Sequence, residues 1–289
     1  MRKQGNGHGN STPILIAHVS DLHAGGTTAL SPPRIRLDDG GEYVAHKTQV
    51  WLWERWGDFW RHAAIRRKVL GARLYIVFNG DLVEGDHHGT TQIMSGNPNA
   101  QAAALNAAME APLALEPDKL FIVRGTAAHA GKSGSAEERI ADGLRRDKRP
   151  VIGDRDTGAA SWWHLYLACH GVRIDIAHHG RTGLREHTRG SQAVLHAHDI
   201  LLSYIKRQED PPHLCLRGHH HKFNDSTDAC PVRVVTGGAW QFATEHIHKI
   251  ATDSVSDIGG LLVAIQPDST YTVEKVHYQP ERGKLWRSA

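Results

Sequence analysis

Cysteine is scarce in this chain: Cys169, Cys215 and Cys230 are three among 289 residues. Their number is odd and none forms a C-x-x-C pair, which excludes a disulfide framework and a thiolate zinc site and fits a reducing compartment. No apolar run approaches the ~20 residues that a membrane-crossing helix needs. The opening, MRKQGNGHGNSTP, has basic residues but no apolar segment behind them of the kind a secretory leader carries. A cytoplasmic protein without a membrane partner is therefore expected. Charge of one sign is also missing, since 34 Lys and Arg against 31 Asp and Glu leave a net +3. A whole-molecule field of that size does not argue for nucleic acid, so any partner has to be argued from local chemistry. Neither an internal repeat nor a low-complexity tract is present, and 40% hydrophobic residues suffice for one large core.

What the chain has in excess is histidine, 22 residues of it, and neutral imidazole is the commonest metal ligand among side chains. Five short apolar runs each end in a polar, glycine-containing loop: PILIAHVSDLHAGG from 13, RLYIVFNGDLVEGDHH from 73, KLFIVRGTAAHAGKSG from 119, VRIDIAHHGRTG from 172 and HLCLRGHHH from 213. The runs predict strands. Helical patterns lie between them over roughly 46–70, 99–115 and 136–148. Ser135 followed three residues later by Glu138 predicts a capping box for the third helix. Strands alternating with helices point to a layered α/β fold, in which ligands gather at the carboxyl ends of strands. After residue 230 come VRVVTGGAW, IGGLLVAIQ and TYTVEKVHY with no helical pattern between them, which predicts additional, largely antiparallel sheet. Residues 1–12 and 279–289 are expected to be flexible tails. A domain over 13–278 is expected between them, with insertions near 27–70 and 84–115.

The loops share one chemistry. They offer Asp21, His23, Asp81, His129, His178, His179, His219 and His221, all at predicted strand ends. Carboxylates mixed with imidazoles suit manganese, nickel, zinc or iron, whereas an all-oxygen set would suit magnesium or calcium. Asp-x-His and His-x-His can each clasp an ion from one loop, and Asp81 has two oxygens with which to bridge two ions. Two divalent ions ~3.5–4 Å apart stabilise the attacking and leaving oxygens of a phosphoryl displacement and generate hydroxide near neutral pH.

In order, DLH, GD, GTAAH, HHG and GHHH resemble the motif series of the calcineurin-like metallophosphoesterases, in the branch that phages and prophages often carry. The match runs from about residue 14 to 240. The resemblance implies a four-layer α/β/β/α sandwich with its metal site at the strand ends. It also implies two divalent transition-metal ions. One would be held by Asp21, His23, Asp81 and His221, the other by Asp81, His219 and either His178 or His179. The implied activity is phosphoester hydrolysis, more a phosphodiesterase than a monoesterase, on a nucleotide, a nucleic acid or another phosphoester. Alternatives are a DNA or RNA nuclease and a non-catalytic metal-binding scaffold for a protein partner. The third motif departs from the family pattern, with Thr126 where the family has a ligating asparagine and His129 displaced by two residues. By resemblance His129 serves the leaving group.

Other features have blander explanations. Arg124 and Arg217 each precede a loop glycine, where a guanidinium could hold phosphate. His18, His46 and His164 are read as packed or surface residues, and His87 and His88 as outer neighbours of a ligand or loop decoration. HAGKSG is not a nucleotide-triphosphate loop, because Gly125 lies one residue too far from Gly131. In WLWERWGDFWRHAAIRRKVLG, Trp53, Trp56 and Trp60 share one helical face and predict core. The interleaved Arg66, Arg67 and Lys68 could instead meet a nucleic-acid backbone.

Overall fold

The computed structural model describes residues 12–37, 39–86, 89–181, 188–251 and 253–281. Most of both predicted tails, and His87 and His88, lie outside them. Two five-stranded sheets face each other. The first has the order β12-β11-β1-β4-β5, built from β1 (Ile14–Val19), β4 (Arg73–Asn79), β5 (Lys119–Val123), β11 (Ile258–Ile265) and β12 (Tyr271–Tyr278). The second has the order β6-β7-β8-β10-β9, from β6 (His164–Cys169), β7 (Val172–Ala177), β8 (Leu214–Arg217), β9 (Asn224–Asp225) and β10 (Arg233–Thr236). A separate hairpin pairs β2 (Arg34–Arg36) with β3 (Glu42–Val44).

Three apolar clusters make four layers. Ile14, Ile16, Val77, Phe121 and Val263 of the first sheet meet Leu165, Ile174, Ile176, Leu216 and Val235 of the second. The other face of the first sheet packs on α1 (Lys47–Leu70), α2 (Pro98–Leu113) and α4 (Ser135–Arg146), which follows the single turn α3 (Ala127–Ala130). The other face of the second packs on α5 (Arg189–Arg207) through Ala197, Cys215 and Val234. Strands covered on both faces have no polar side to alternate with, which is why β1 is buried along its whole length. The parallel neighbours β1, β4 and β5 turn their carboxyl ends the same way, as do β7, β8 and β10.

Several expectations need correction. The region after 230 is not simply antiparallel: β10 runs parallel to β8, and the short α6 (Glu245–Ile250) intervenes before β11. Only Trp56 and Trp60 of the tryptophan face are fully buried, while Trp53 packs at the edge of the core. Two of the three basic residues at the end of α1 are paired within the fold, Arg66 on Glu274 at 3.1 Å and Arg67 on Asp118 at 3.4 Å, while Lys68 is exposed. Ser135 does not cap α4. Gly134 holds the N-cap position, with no side-chain cap.

Glu138 has a different task. Its carboxylate accepts from the Ala160 and Ser161 backbone N–H groups, from Ser161 Oγ and from Arg124 Nη2, all within 2.9 Å. It thereby ties α4 to the segment alongside β5. Partial burial alone would raise its pKa, but these donors, Ser161 foremost, hold it at about 2 against an ordinary 4.5. A folded-state pKa below the unfolded one contributes stability that is complete above 4.5 and lost as pH falls toward 2. Glu138→Gln is expected to lower the melting temperature at pH 7. In a calorimetric pH series the gap to the parent should close below pH 4.5; a gap independent of pH would contradict the assignment.

Candidate metal centre

The loops that leave β1, β4, β7 and β8 converge at one end of the seam between the sheets. Asp21 and His23 follow β1, Asp81 follows β4, His178 follows β7, and His219 and His221 follow β8. Asp21, His23, Asp81 and His178 are almost wholly buried, at 0–2% exposure. Buried charges and lone pairs at this density need a counter-charge. Asp21, His23 and His221 offer donor atoms that all lie within 4.8 Å of one another, and so do Asp81, His178 and His219. Each set has one carboxylate and two imidazoles.

Asp21 Oδ2 accepts from Ser20 Oγ at 2.5 Å and from the His219 N–H at 2.9 Å. Its Oδ1 is buried without a hydrogen-bond donor among the described residues. Around that oxygen stand His221 Nε2 at 3.4 Å, His178 Nε2 at 3.8 Å and His23 Nε2 at 3.9 Å. His23 Nε2 and His221 Nε2 lie 3.2 Å apart, a contact that is favourable only if one of them carries a proton or both lone pairs face a cation. The donor chemistry fits divalent first-row ions.

The ionisation of the site points the same way. Burial would lower the His178 pKa, yet the Asp21 and Asp81 carboxylates raise it to about 9. Burial would raise those two carboxylates, but the imidazoles around them, His178 first, together outweigh it and hold both below the usual range. A proton on His178 thus supplies part of the positive charge that the two carboxylates demand. Burial drives His219 and His129 down to about 4, helped by His178 and His23 respectively. They are neutral donors.

Backbone strain is concentrated here. Asp21, His23, Asp81, His219 and His221 all have left-handed φ, between 48° and 73°, a region that costs a residue with a Cβ about 1–2 kcal/mol. Two motif glycines are required by close approach. A Cβ on Gly80 would sit 2.4 Å from His178 Nδ1, and one on Gly125 would sit 2.1 Å from Asp81 Oδ1.

His178, not His179, enters a donor set. Its Nε2 is 3.0 Å from Asp81 Oδ2, and its Nδ1 lies 2.6 Å from the Asn79 carbonyl. His179 is exposed, with its ring 4.9 Å from that of His219. Asp81 groups with the second set alone, so the expected bridge is not drawn by these distances. Thr126 is no substitute ligand. Its N–H and hydroxyl both donate to Asp81 Oδ1, at 2.6 and 3.0 Å, and fix that carboxylate. His129 donates from Nδ1 to the Glu84 carbonyl at 2.6 Å, and its ring stands 4.4 Å from His23.

Arg124 and Arg217 are not placed to hold phosphate. Arg124 is bound to Glu138 and Ser161 and lies over Trp163. Arg217, 4% exposed, pairs with Asp175 at 2.8 Å on the helix-facing side of the second sheet. Both guanidiniums are consumed by the fold. The residue that the sequence did not single out is Glu84. It is 2% exposed, its Oε2 lies 3.1 Å from His23 Nδ1 and accepts from Gln241 Nε2 at 2.7 Å, and with His23 and His129 it forms a third donor set. Its only signal in the chain was an acid three residues after Asp81. A carboxylate behind a ligating imidazole orients the ring and raises its basicity. Glu84→Gln is expected to weaken metal binding about 10-fold or more; titration calorimetry giving parental affinity would contradict this role.

No family model matches the chain, and no curated protein matches it. Solved structures do. An archaeal phosphodiesterase is 11% identical with a TM-score of 0.40, over 91% of this chain and 99% of that one. Vps29 of Chaetomium thermophilum is 13% identical with a TM-score of 0.39, over 92% and 98%. A dimetal phosphatase of Danio rerio is 11% identical with a TM-score of 0.37, over 90% and 98%. At such values the chemistry rests on the side chains themselves. Among the described residues, no helix is long and apolar enough to cross a membrane.

Proposed function

We propose that this chain is a calcineurin-like, dinuclear metal-dependent phosphoesterase that hydrolyses a phosphodiester. The carrying observation is Asp21 Oδ1, a buried carboxylate oxygen without a hydrogen-bond donor among the described residues and ringed by the Nε2 atoms of three histidines. One ion would be held by Asp21, His23 and His221 and a second by Asp81, His178 and His219. Divalent ions at such a site supply Lewis-acid charge for the phosphoryl oxygens and acidify water.

The chain's own groups supply position and proton transfer. The Ser20 hydroxyl and the His219 N–H hold Asp21 Oδ2, so that Oδ1 faces the imidazoles. Thr126 turns Asp81 in the same way. With the His129 Nδ1–H fixed on the Glu84 carbonyl, Nε2 is the nitrogen left for proton exchange: it first accepts a proton from the attacking water and then returns it to the leaving oxygen. Solvent reaches the centre over His129, His179, His219 and His221, so a phosphoester enters from that side. A small diester is favoured over a nucleic acid, because two of the three basic residues at the end of α1, Arg66 and Arg67, are already paired with Glu274 and Asp118.

Activity on bis-p-nitrophenyl phosphate is expected to vanish with chelation and to return with manganese, nickel, zinc or iron. Asp81→Asn should cost orders of magnitude in turnover with the fold retained. Full activity in chelator, from protein without bound metal, would end this proposal. His129→Ala should lower kcat most for poor leaving groups and least for p-nitrophenolate, at unchanged metal content. Equal losses on both substrates, together with one lost metal equivalent, would make His129 a ligand instead.

A further inference from the structure

Directly beneath the donor sets lies a polar pair that the proposed chemistry does not use. His18 on β1 and Asn79 at the end of β4 are both 0% exposed. Asn79 Nδ2 lies 3.1 Å from the Ala177 carbonyl, on β7 of the opposite sheet, and 3.0 Å from His18 Nε2. A carbonyl can only accept, so the NH2 end of the amide must face Ala177. His18 Nε2 then accepts the second hydrogen, and the imidazole proton sits on Nδ1. The backbone carbonyl of the same Asn79 takes the Nδ1–H of His178 at 2.6 Å. Asn79 therefore grips two successive residues of the facing sheet, one through its side chain and one through its main chain.

The pair is costly by ordinary standards. His18 Nδ1 and Asn79 Oδ1 have no hydrogen-bond partner among the described residues. Burial, opposed by the Asp21 carboxylate and helped by His178 and Arg217, brings the His18 pKa down to about 4, leaving it neutral. Replacing both members of a buried polar pair by apolar groups of similar shape is often neutral or stabilising. Such a pair retained in the seam calls for an explanation other than stability.

Its location supplies one. Apolar contacts between the sheets are non-directional, whereas the donor sets need the ends of β1, β4, β7 and β8 fixed to a fraction of an ångström. His18 stands three residues before Asp21, Asn79 two before Asp81, and Ala177 one before His178. The Gly218 N–H in turn donates to the His178 carbonyl at 2.9 Å, which brings in the loop of His219. We propose that Asn79, seated on His18, is the positioning residue that locks the metal-binding loops of the two sheets against each other and sets the affinity of the Asp81–His178–His219 ion. This rests on the metal-centre proposal above.

The test is a titration of metal-free protein with Mn(II) and Co(II), followed by calorimetry and by the Co(II) absorption spectrum. His219→Ala identifies which binding step belongs to the second donor set. Asn79→Leu is expected to weaken that step by about 10–100-fold and to alter its Co(II) spectrum, while the Asp21–His23–His221 step stays parental. The double variant His18→Leu/Asn79→Leu, which leaves neither partner stranded, should show the same loss with a metal-free melting temperature no lower than the parent's. Parental affinity for the second ion in both variants would overturn the inference. So would equal weakening of both ions together with a fall in the metal-free melting temperature, which would make the pair merely structural. Fewer than two ions bound by the parent chain would refute the metal-centre proposal itself, and would be evident before any variant is measured.

Discussion

Two carboxylates, Asp21 and Asp81, are buried at the seam between two sheets, and the rest of the structure accommodates that fact. An ionised carboxylate is tolerated away from water only when positive charge and hydrogen-bond donors surround it. Here the donors come from Ser20, Thr126 and the His219 backbone, and the charge demand falls on the imidazoles. A proton on His178 satisfies that demand in part. It is a poor stand-in for divalent cations, because it serves Asp81 at 3.0 Å and leaves Asp21 Oδ1 at 3.8 Å.

The two-sheet architecture explains why the donors can meet at all. The first sheet delivers Asp21, His23 and Asp81, and the second delivers His178, His219 and His221. Neither sheet holds a complete donor set alone. The apolar layer from Ile16 and Val77 to Ile174 and Leu216 keeps the halves of the centre together, and the polar contacts of Asn79 at its edge give that layer a direction.

The sequence made the ligands legible because their chemistry is carried by residue type and order. Asp and His recurring after apolar runs can be seen without knowing what faces what. The supporting residues were not legible, since their roles exist only in three dimensions. Glu84 reaches His23 across 61 positions of chain, Asn79 reaches Ala177 across 98, and Thr126 reaches Asp81 across 45. Arg124 and Arg217 looked like phosphate ligands because their neighbours are motif glycines, yet both side chains turn away to Glu138 and Asp175. Ser135 and Glu138 had the spacing of a capping box, but the segment at 160–161 and Arg124 offered that carboxylate stronger donors. Helix α5 is faint in the sequence because Gly190 and Ser191 interrupt its start, although Ala193, Ala197 and Leu201 mark its inward face.

The left-handed backbone at Asp21, His23, Asp81, His219 and His221 constrains how this chain can drift. A β-branched residue at any of these positions would pay both for the lost donor and for the strained conformation, whereas glycine or asparagine would relax the loop. Selection for stability alone would therefore pull the five positions toward glycine and asparagine. Their present identity as aspartate and histidine is what the proposed cations would demand against that pull, and a descendant that had abandoned metal would betray it first in its loop backbones, while its sheets still looked intact.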